Sequence, residues 1–380
     1  MRFLFASDSF KGSLSSDDTI RLLTRAAKEV FPDCSTEGVP VADGGEGTTA
    51  AVTKARGGEI VSLPVHGPLM EEETAFYGRL SDTEAIMEMA SASGLPMVPP
   101  EKRNPLLTTT YGTGELLKAI LDAGYKSVSI ALGGSATNDG GMGFARALGV
   151  KFTDAAGNEL EGRGQDLEKV SHIDVSGLDP LVKKADITVM CDVTNPLCGP
   201  DGATYTFGAQ KGGTKEILDR LEAGMNNYRS VIMRELGTDP DETKGTGAAG
   251  GLGAALLVFA GAKMKSGIET VLDLIGFDEK VKKADLVVTG EGRTDWQSCF
   301  GKVMSGVGTH AARFGVPVTA VCGSLGRDYE KIYEYGISSI ITTVDGPMPL
   351  SQAIEDAEGL YYRAAVRMFR MIRAGQSLKG

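Results

Sequence analysis

Arg2-Phe3-Leu4-Phe5-Ala6-Ser7-Asp8-Ser9-Phe10-Lys11-Gly12-Ser13-Leu14-Ser15 is a short apolar run that breaks into a polar loop and ends on a helix-start signal. Ser15 with Asp18 three residues later makes a capping box, ahead of Ile20, Leu23, Ala27 and Val30 at helical spacing. The pattern then repeats. Glu37 to Ala42 reads as a strand, Asp43-Gly44-Gly45-Glu46-Gly47 as a loop, and Thr48 to Ala55 as a helix closed by Gly57-Gly58. Alternation of this kind builds a parallel sheet covered by helices.

The same grammar returns at the other end. Ala284 to Thr289 is a buried-type strand, Gly290 to Ser298 a loop and Lys302 to Arg313 a helix, and Val316 to Cys322 and Ser338 to Val344 follow as strands. Ile354, Ala357, Tyr361, Ala364, Met368 and Ile372 mark the inner face of a last helix. Two strands at the start and three at the end predict an α/β fold with a flavodoxin-like doubly wound parallel sheet of order 2-1-3-4-5. Residues 1–65 and 285–380 would form it, with residues 66–284 inserted as a second α/β domain. In that insert Glu59 to Val65, Glu72 to Leu80 and Glu84 to Met89 read as consecutive strands, and Ser127 to Leu132 and Ile187 to Asp192 as buried ones, which together predict a mixed sheet. Lys215 to Leu236 reads as a long helix with Leu221, Met225, Tyr228 and Ile232 on its core face.

Composition narrows the function classes. At 380 residues, with 42% hydrophobic and 23% charged positions, the chain has material for two packed domains. A formal net charge of −11 disfavours nucleic acid and anionic membranes as partners, so an anionic ligand needs local cations or amides. Five cysteines without a C-x-x-C pair and three histidines leave the familiar zinc patterns unfilled and suit a reducing cytoplasmic setting. Asp8 interrupts the N-terminal apolar run before a signal-peptide core forms, and the longest apolar run, Ala254 to Ala262, is half a membrane span.

No G-x-x-x-x-G-K-[ST] P-loop occurs. Gly245-Thr246-Gly247-Ala248-Ala249-Gly250 matches G-x-G-x-x-G but follows a polar loop instead of a strand, so it reads as a glycine loop opening the helix Leu252 to Gly261, serving close packing or phosphate binding. Gly133 to Gly143 is more specific. It joins a strand to a helix and combines backbone donors with Ser135, Thr137, Asn138 and Asp139, a composition that can cradle phosphate. Asp192, leaving a strand beside Asn195, suits Mg²⁺ or caps a turn. Cys191 and Cys198 read as packing thiols. In a 2-1-3-4-5 sheet the crevice opens where strands 1 and 3 end, which gathers Asp8 to Lys11 with Glu291-Gly292-Arg293-Thr294-Asp295, and Asp43 and Glu46 from strand 2 nearby. Such a set offers cations for an anionic acceptor and carboxylates for metal and base, as phosphoryl transfer requires, or else a ring of caps and ion pairs.

Asp8-Ser9-Phe10-Lys11-Gly12-Ser13, Ala42 to Thr48, Arg103-Asn104-Pro105, Thr110 to Glu115, Gly133 to Gly141, Cys191 to Pro196, Gln210-Lys211-Gly212, Gly247 to Gly253 and Gly290 to Asp295 together resemble the bacterial glycerate 2-kinase (type I glycerate kinase) family, essentially end to end. The resemblance implies ATP- and Mg²⁺-dependent phosphorylation of (R)-glycerate at the 2-hydroxyl, in a cleft between a flavodoxin-like domain and an inserted one. On this reading Asp295 is the base, with Lys11 and Asp8. Arg293, Asp43, Glu46, Ser9 and Lys211 meet glycerate. Gly133, Gly134, Ser135, Thr137, Asn138, Asp139, Gly247 and Gly250 meet ATP, while Asp192 and Asn195 hold Mg²⁺. Two departures stand out: Ala209 where a Pro is expected, and Trp296 with Cys299-Phe300 flanking the last motif. A kinase for another small hydroxy acid and a noncatalytic nucleotide-binding sensor are the rival readings.

Overall fold

The computed structural model describes residues 1–378. Along the chain the principal elements begin with β1 (Arg2–Phe5), α1 (Ser16–Val30), β2 (Ser35–Gly38), α2 (Thr48–Ala55), β3 (Glu59–His66), β4 (Glu72–Arg79) and β5 (Glu84–Glu88). Next come α3 (Tyr111–Asp122), β6 (Ser127–Ala131), α4 (Met142–Ala147), β7 (Asp186–Met190), α5 (Lys215–Leu236), α6 (Ala248–Ala260) and β8 (Lys263–Lys265). The chain closes with β9 (Leu286–Thr289), α7 (Val303–Arg313), β10 (Val318–Cys322), β11 (Ser339–Thr342) and α8 (Ala357–Gln376). It divides into two compact units, one of residues 1–43, 54–56 and 268–380, the other of 44–53 and 57–267.

The first unit holds a five-stranded sheet in the order β11-β10-β9-β1-β2, every neighbouring pair parallel. In strand sequence this is 2-1-3-4-5, the order expected. β9 and β10 are buried at every residue, as a sheet with helices on both faces demands. α1 starts on the capping box read from Ser15 and Asp18, and both reciprocal bonds are made. Its buried face, Leu22, Leu23, Ala26, Ala27 and Val30, packs with Phe3, Phe5, Tyr361 and Phe369, and Phe3 and Phe369 ring centroids lie 5.1 Å apart.

Two boundaries differ from expectation. β2 spans Ser35–Gly38 instead of Glu37 to Ala42: Val39 N–H still donates to the Phe5 carbonyl at 2.8 Å, and Val41 and Ala42 are buried by packing after the ladder has ended. Ile354 falls in a separate short helix, Leu350–Glu355, and remains 42% exposed, so α8 takes up its apolar face only from Ala357.

The second unit holds a six-stranded mixed sheet, β8-β7-β6-β5-β4-β3. β3, β4 and β5 form an antiparallel meander and β5 to β8 are parallel. Because β3 pairs with β4 along all eight residues, it belongs to this unit, and the expected division at 65/66 falls earlier in the chain. α5 matches its expected span, with Leu221, Met225, Tyr228 and Ile232 buried. Among the described residues no helix is long and apolar enough to cross a membrane.

Candidate active site

A cavity of about 850 Å³ in the first unit opens where the strands end: Asp8 follows β1, Asp43 follows β2, Glu291 follows β9, Ser324 follows β10 and Thr343 follows β11. This is the carboxyl edge of the sheet, where β1 and β9 meet at the change in strand order. β1 reaches the site by continued pairing, since Asp8 N–H donates to the Gly290 carbonyl at 2.9 Å.

Four carboxylates and three cations line this cavity: Asp8, Asp43, Glu291, Asp295, Lys11, Arg293 and Lys302. Burial, then repulsion from Asp43, pushes Asp8 up to about 6; the Ser9 amide, 2.7 Å from Oδ1, with Lys11 and Lys302, pulls the other way. Burial likewise pushes Glu291 up to about 7, although the Ser298 hydroxyl donates to it. Lys302 Nζ lies 2.6 Å from Asp43 Oδ2. Ser9 lines the cavity and Lys11 is exposed at it. A far wall of Val344, Pro347, Leu350 and Ile354 is apolar.

Asp295 lines the same cavity but is committed elsewhere. Its Oδ1 accepts from Gln297 N–H at 2.9 Å and it caps the turn Trp296–Cys299, while its Oδ2 lies 3.5 Å from Arg293 Nε. Asp8, by contrast, is buried against the like charge of Asp43. Trp296 and Phe300, the unusual flank of this motif, are exposed, touch each other at 5.9 Å between ring centroids, and are not among the cavity's lining residues.

In the second unit the loop Gly133 to Gly143 is braced from within. Asp139 is fully buried and accepts from Thr110 N–H and hydroxyl, both at 2.7 Å, and from Gly141 and Gly143 N–H at 3.1 and 3.2 Å. Burial pushes its carboxyl up and these donors pull it back. Asn138 donates to the Thr204 hydroxyl, and Lys211, 2% exposed, donates to the Thr137 carbonyl at 2.6 Å. Burial drives the Lys211 amine down to about 7, with Asp139 opposing. Thr137, Asn138, Asp139 and Lys211 thus shape the loop, and Gly133 and Gly134 are its accessible part. Lys211, expected to meet glycerate, belongs to this loop.

The glycine run also turns out to serve packing. Ala249, Gly250 and Gly251 all have positive φ, so regular helix starts at Leu252, as the loop reading required. A Cβ on Gly250 would stand 2.0 Å from the Thr137 carbonyl oxygen, and Gly247 N–H donates to the Asn195 carbonyl at 3.0 Å.

Asp192 is exposed beyond β7, and its Oδ1 accepts from the Ser266 hydroxyl at 3.0 Å and Gly267 N–H at 2.9 Å. Asn195 donates to the Asp201 carbonyl at 2.7 Å. Among the described residues no three His, Cys, Asp or Glu side chains cluster as a metal cage. Cys191 and Cys198 are raised to about 11 and 12, mainly by burial, in keeping with packing thiols.

Three groups were missed by sequence reading. Glu88, 5% exposed at the end of β5, accepts from Thr49 N–H at 2.7 Å and Gly47 N–H at 3.2 Å, holding the start of α2 beside the exposed Glu46, whose charge adds to the burial that raises it. Glu291 stood in a quoted motif without a role. Lys302 carried the clearest unread signal: it occupies the N-cap of α7, where Ser, Thr, Asp or Asn is usual.

Comparison with known proteins gives one consistent result. The model of the glycerate kinase family matches residues 3–373. A Bacillus subtilis (strain 168) protein named glycerate kinase is 44% identical over 379 residues, covering 100% of this chain and 99% of that one. An Escherichia coli K12 protein named glycerate 2-kinase is 42% identical over 381 residues, with both chains covered completely. The crystal structure of a Salmonella typhimurium LT2 protein assigned as glycerate kinase 2 superposes with a TM-score of 0.90 at 42% identity over 100% of both chains.

Proposed function

Because the chain belongs to the glycerate kinase family, we propose that it transfers the γ-phosphoryl group of ATP to the 2-hydroxyl of (R)-glycerate, giving 2-phosphoglycerate and ADP. The observation that carries the site assignment is the first unit's cavity, where a carboxylate raised to about 6 stands among Lys11, Arg293 and Lys302. Glycerate is a small anion. Arg293, with 68% of its side chain exposed, and Lys11 supply the local positive field that a chain at −11 otherwise lacks. Ser9, Asp43 and Glu46 remain candidates for the sugar-acid hydroxyls, which both donate and accept hydrogen bonds.

In the transfer the bond from the 2-oxygen to the γ-phosphorus forms and the bond from that phosphorus to the β,γ-bridging oxygen breaks. Asp8 takes the hydroxyl proton, and ADP leaves with the bridging oxygen's electron pair. A base near 6 is ionised at neutral pH yet still basic enough to accept a proton. The nucleotide phosphates are assigned to Gly133, Gly134 and Ser135, whose turn is held open by Lys211 and Asp139 beneath it. When bound with ATP, Mg²⁺ supplies positive charge to the transferring group. Asp192 and Asn195 offer oxygen donors of the right hardness for it, and an ion that keeps most of its ligands as phosphate and water asks for no more.

The test incubates pure protein with ATP, Mg²⁺ and a panel of hydroxy acids, with ³¹P NMR of the product. Turnover fastest on (R)-glycerate with phosphate on carbon 2 is expected. Faster turnover of another acid would replace the substrate, and nucleotide binding without transfer would leave only a sensor.

A further inference from the structure

We propose that Lys302 is a further catalytic residue, the cation that contacts the transferring phosphoryl group and holds the base ionised for the attack. The inference rests on the glycerate kinase reading and adds a group to its site.

The argument begins with an anomaly. A helix N-terminus carries partial positive charge and is ordinarily capped by a side chain that accepts hydrogen bonds. α7 has Lys302 there, with no side-chain capping bond. A cation at the positive end of a helix is unfavourable, so a residue chosen for the helix alone would be Ser or Asp. The position makes sense once the helix end is seen to face acids. Lys302 is 2.6 Å from Asp43 and exerts a favourable field on both Asp8 and Glu291. The three carboxylates come from three strand ends, β2, β1 and β9, and one ammonium serves all of them.

Its exposure also fits a group that must meet a ligand. The Lys302 side chain is 42% exposed and that of its partner Asp43 19%, and both line the cavity. In the transition state, negative charge spreads over the transferring oxygens, and an ammonium beside the base is a fixed counter-charge that needs little reorganisation. The charged groups around it are Asp8 and Lys11 after β1, Asp43 after β2, and Glu291, Arg293 and Asp295 after β9. Removing Lys302 from this set leaves Asp8 with less opposing positive charge and hence a higher pKa.

Lys302→Ser separates catalysis from architecture, because Ser is a preferred N-cap and should keep or improve α7. The experiment measures kcat and KM, the acid limb of kcat/KM against pH, and melting temperature for wild type, Lys302→Ser and Lys302→Arg. Expected for Lys302→Ser is a fall in kcat of about a hundredfold or more, an acid limb moved to higher pH, and an undiminished melting temperature; Lys302→Arg recovers part of kcat. A kcat within about threefold of wild type overturns the role. So does a loss of kcat accompanied by a lowered melting temperature and an unmoved acid limb, which would make Lys302 a strut. Wild-type protein without turnover on glycerate defeats the kinase reading itself, and is seen before any variant is compared.

Discussion

Asp8 and Asp139 each lie in a polar, glycine-containing loop after a buried parallel strand, yet they do opposite things. Asp139 receives five donors from its own unit, the Thr109 hydroxyl at 3.5 Å among them, and has no exposure. Asp8 receives one close backbone donor, from Ser9, and faces the like charge of Asp43 across a cavity. A saturated carboxylate cannot take a substrate proton without giving up bonds that hold the backbone; an undersupplied one can. Counting donors therefore separates architecture from chemistry where residue type does not.

The largest break of this comparison is Asp139→Ala. It orphans the buried donors of Thr110, Gly141 and Gly143, and should cost about 3 kcal/mol or more of stability, read in urea or thermal unfolding. A melting temperature near wild type would show that the loop does not depend on it.

Next comes the pair Asp8→Asn and Asp295→Asn. The first should lower kcat by about a hundredfold or more with nucleotide affinity intact, and the second should have the smaller effect. The reverse ranking returns the base to Asp295. Asp8→Asn has a companion effect of opposite sign on stability. The folded protein binds the Asp8 proton more tightly than the unfolded chain does, since its carboxyl is raised from 3.8 to about 6. Ionisation therefore costs stability above pH 6 and nothing below about 4. The Asn variant should be more stable at pH 7.5, by up to about 3 kcal/mol, and the gain should vanish near pH 4. A pH-independent difference would point to packing instead.

Smallest is Arg293→Ala. It should raise the apparent KM for glycerate by about tenfold while leaving that for ATP nearly unchanged. Equal small changes in both would remove Arg293 from the substrate's surroundings.

Much of the architecture was legible. α5 shows its face at a steady spacing over 22 residues, the Ser15 and Asp18 box is local chemistry, and strand-loop-helix alternation at both chain ends is enough to order the first sheet. β2 was displaced because Val41 and Ala42 are buried beyond the end of the ladder, and apolar pattern reports burial, not hydrogen bonding. The site was legible as a set and not as roles. Asp295 and Glu291 stand four residues apart in one motif, and what distinguishes them is that Gln297 N–H binds one while burial raises the other. Asp192 met its own ambiguity: the Ser266 hydroxyl and Gly267 N–H bind it as they would a capping carboxylate. Such differences depend on which backbone group folds back within reach.

The first sheet is assembled from the two ends of the chain, and this has a consequence during synthesis. The Thr289 hydroxyl bonds the Ala6 carbonyl across 283 residues, and β1 has β9 as its central neighbour. At roughly 5–20 residues per second a ribosome needs on the order of tens of seconds to make β9 after β1 has emerged. During that interval β1 has only β2 beside it, whereas every strand of the second unit is complete by Lys265. Nascent chains arrested before Leu286 should therefore resist protease across the second unit and be cut within the first 43 residues; protection of those residues would show that β1 is sheltered without β9. The order of translation thus makes the inserted unit the first to mature, and the cavity's carboxylates converge only when the last quarter of the polypeptide arrives.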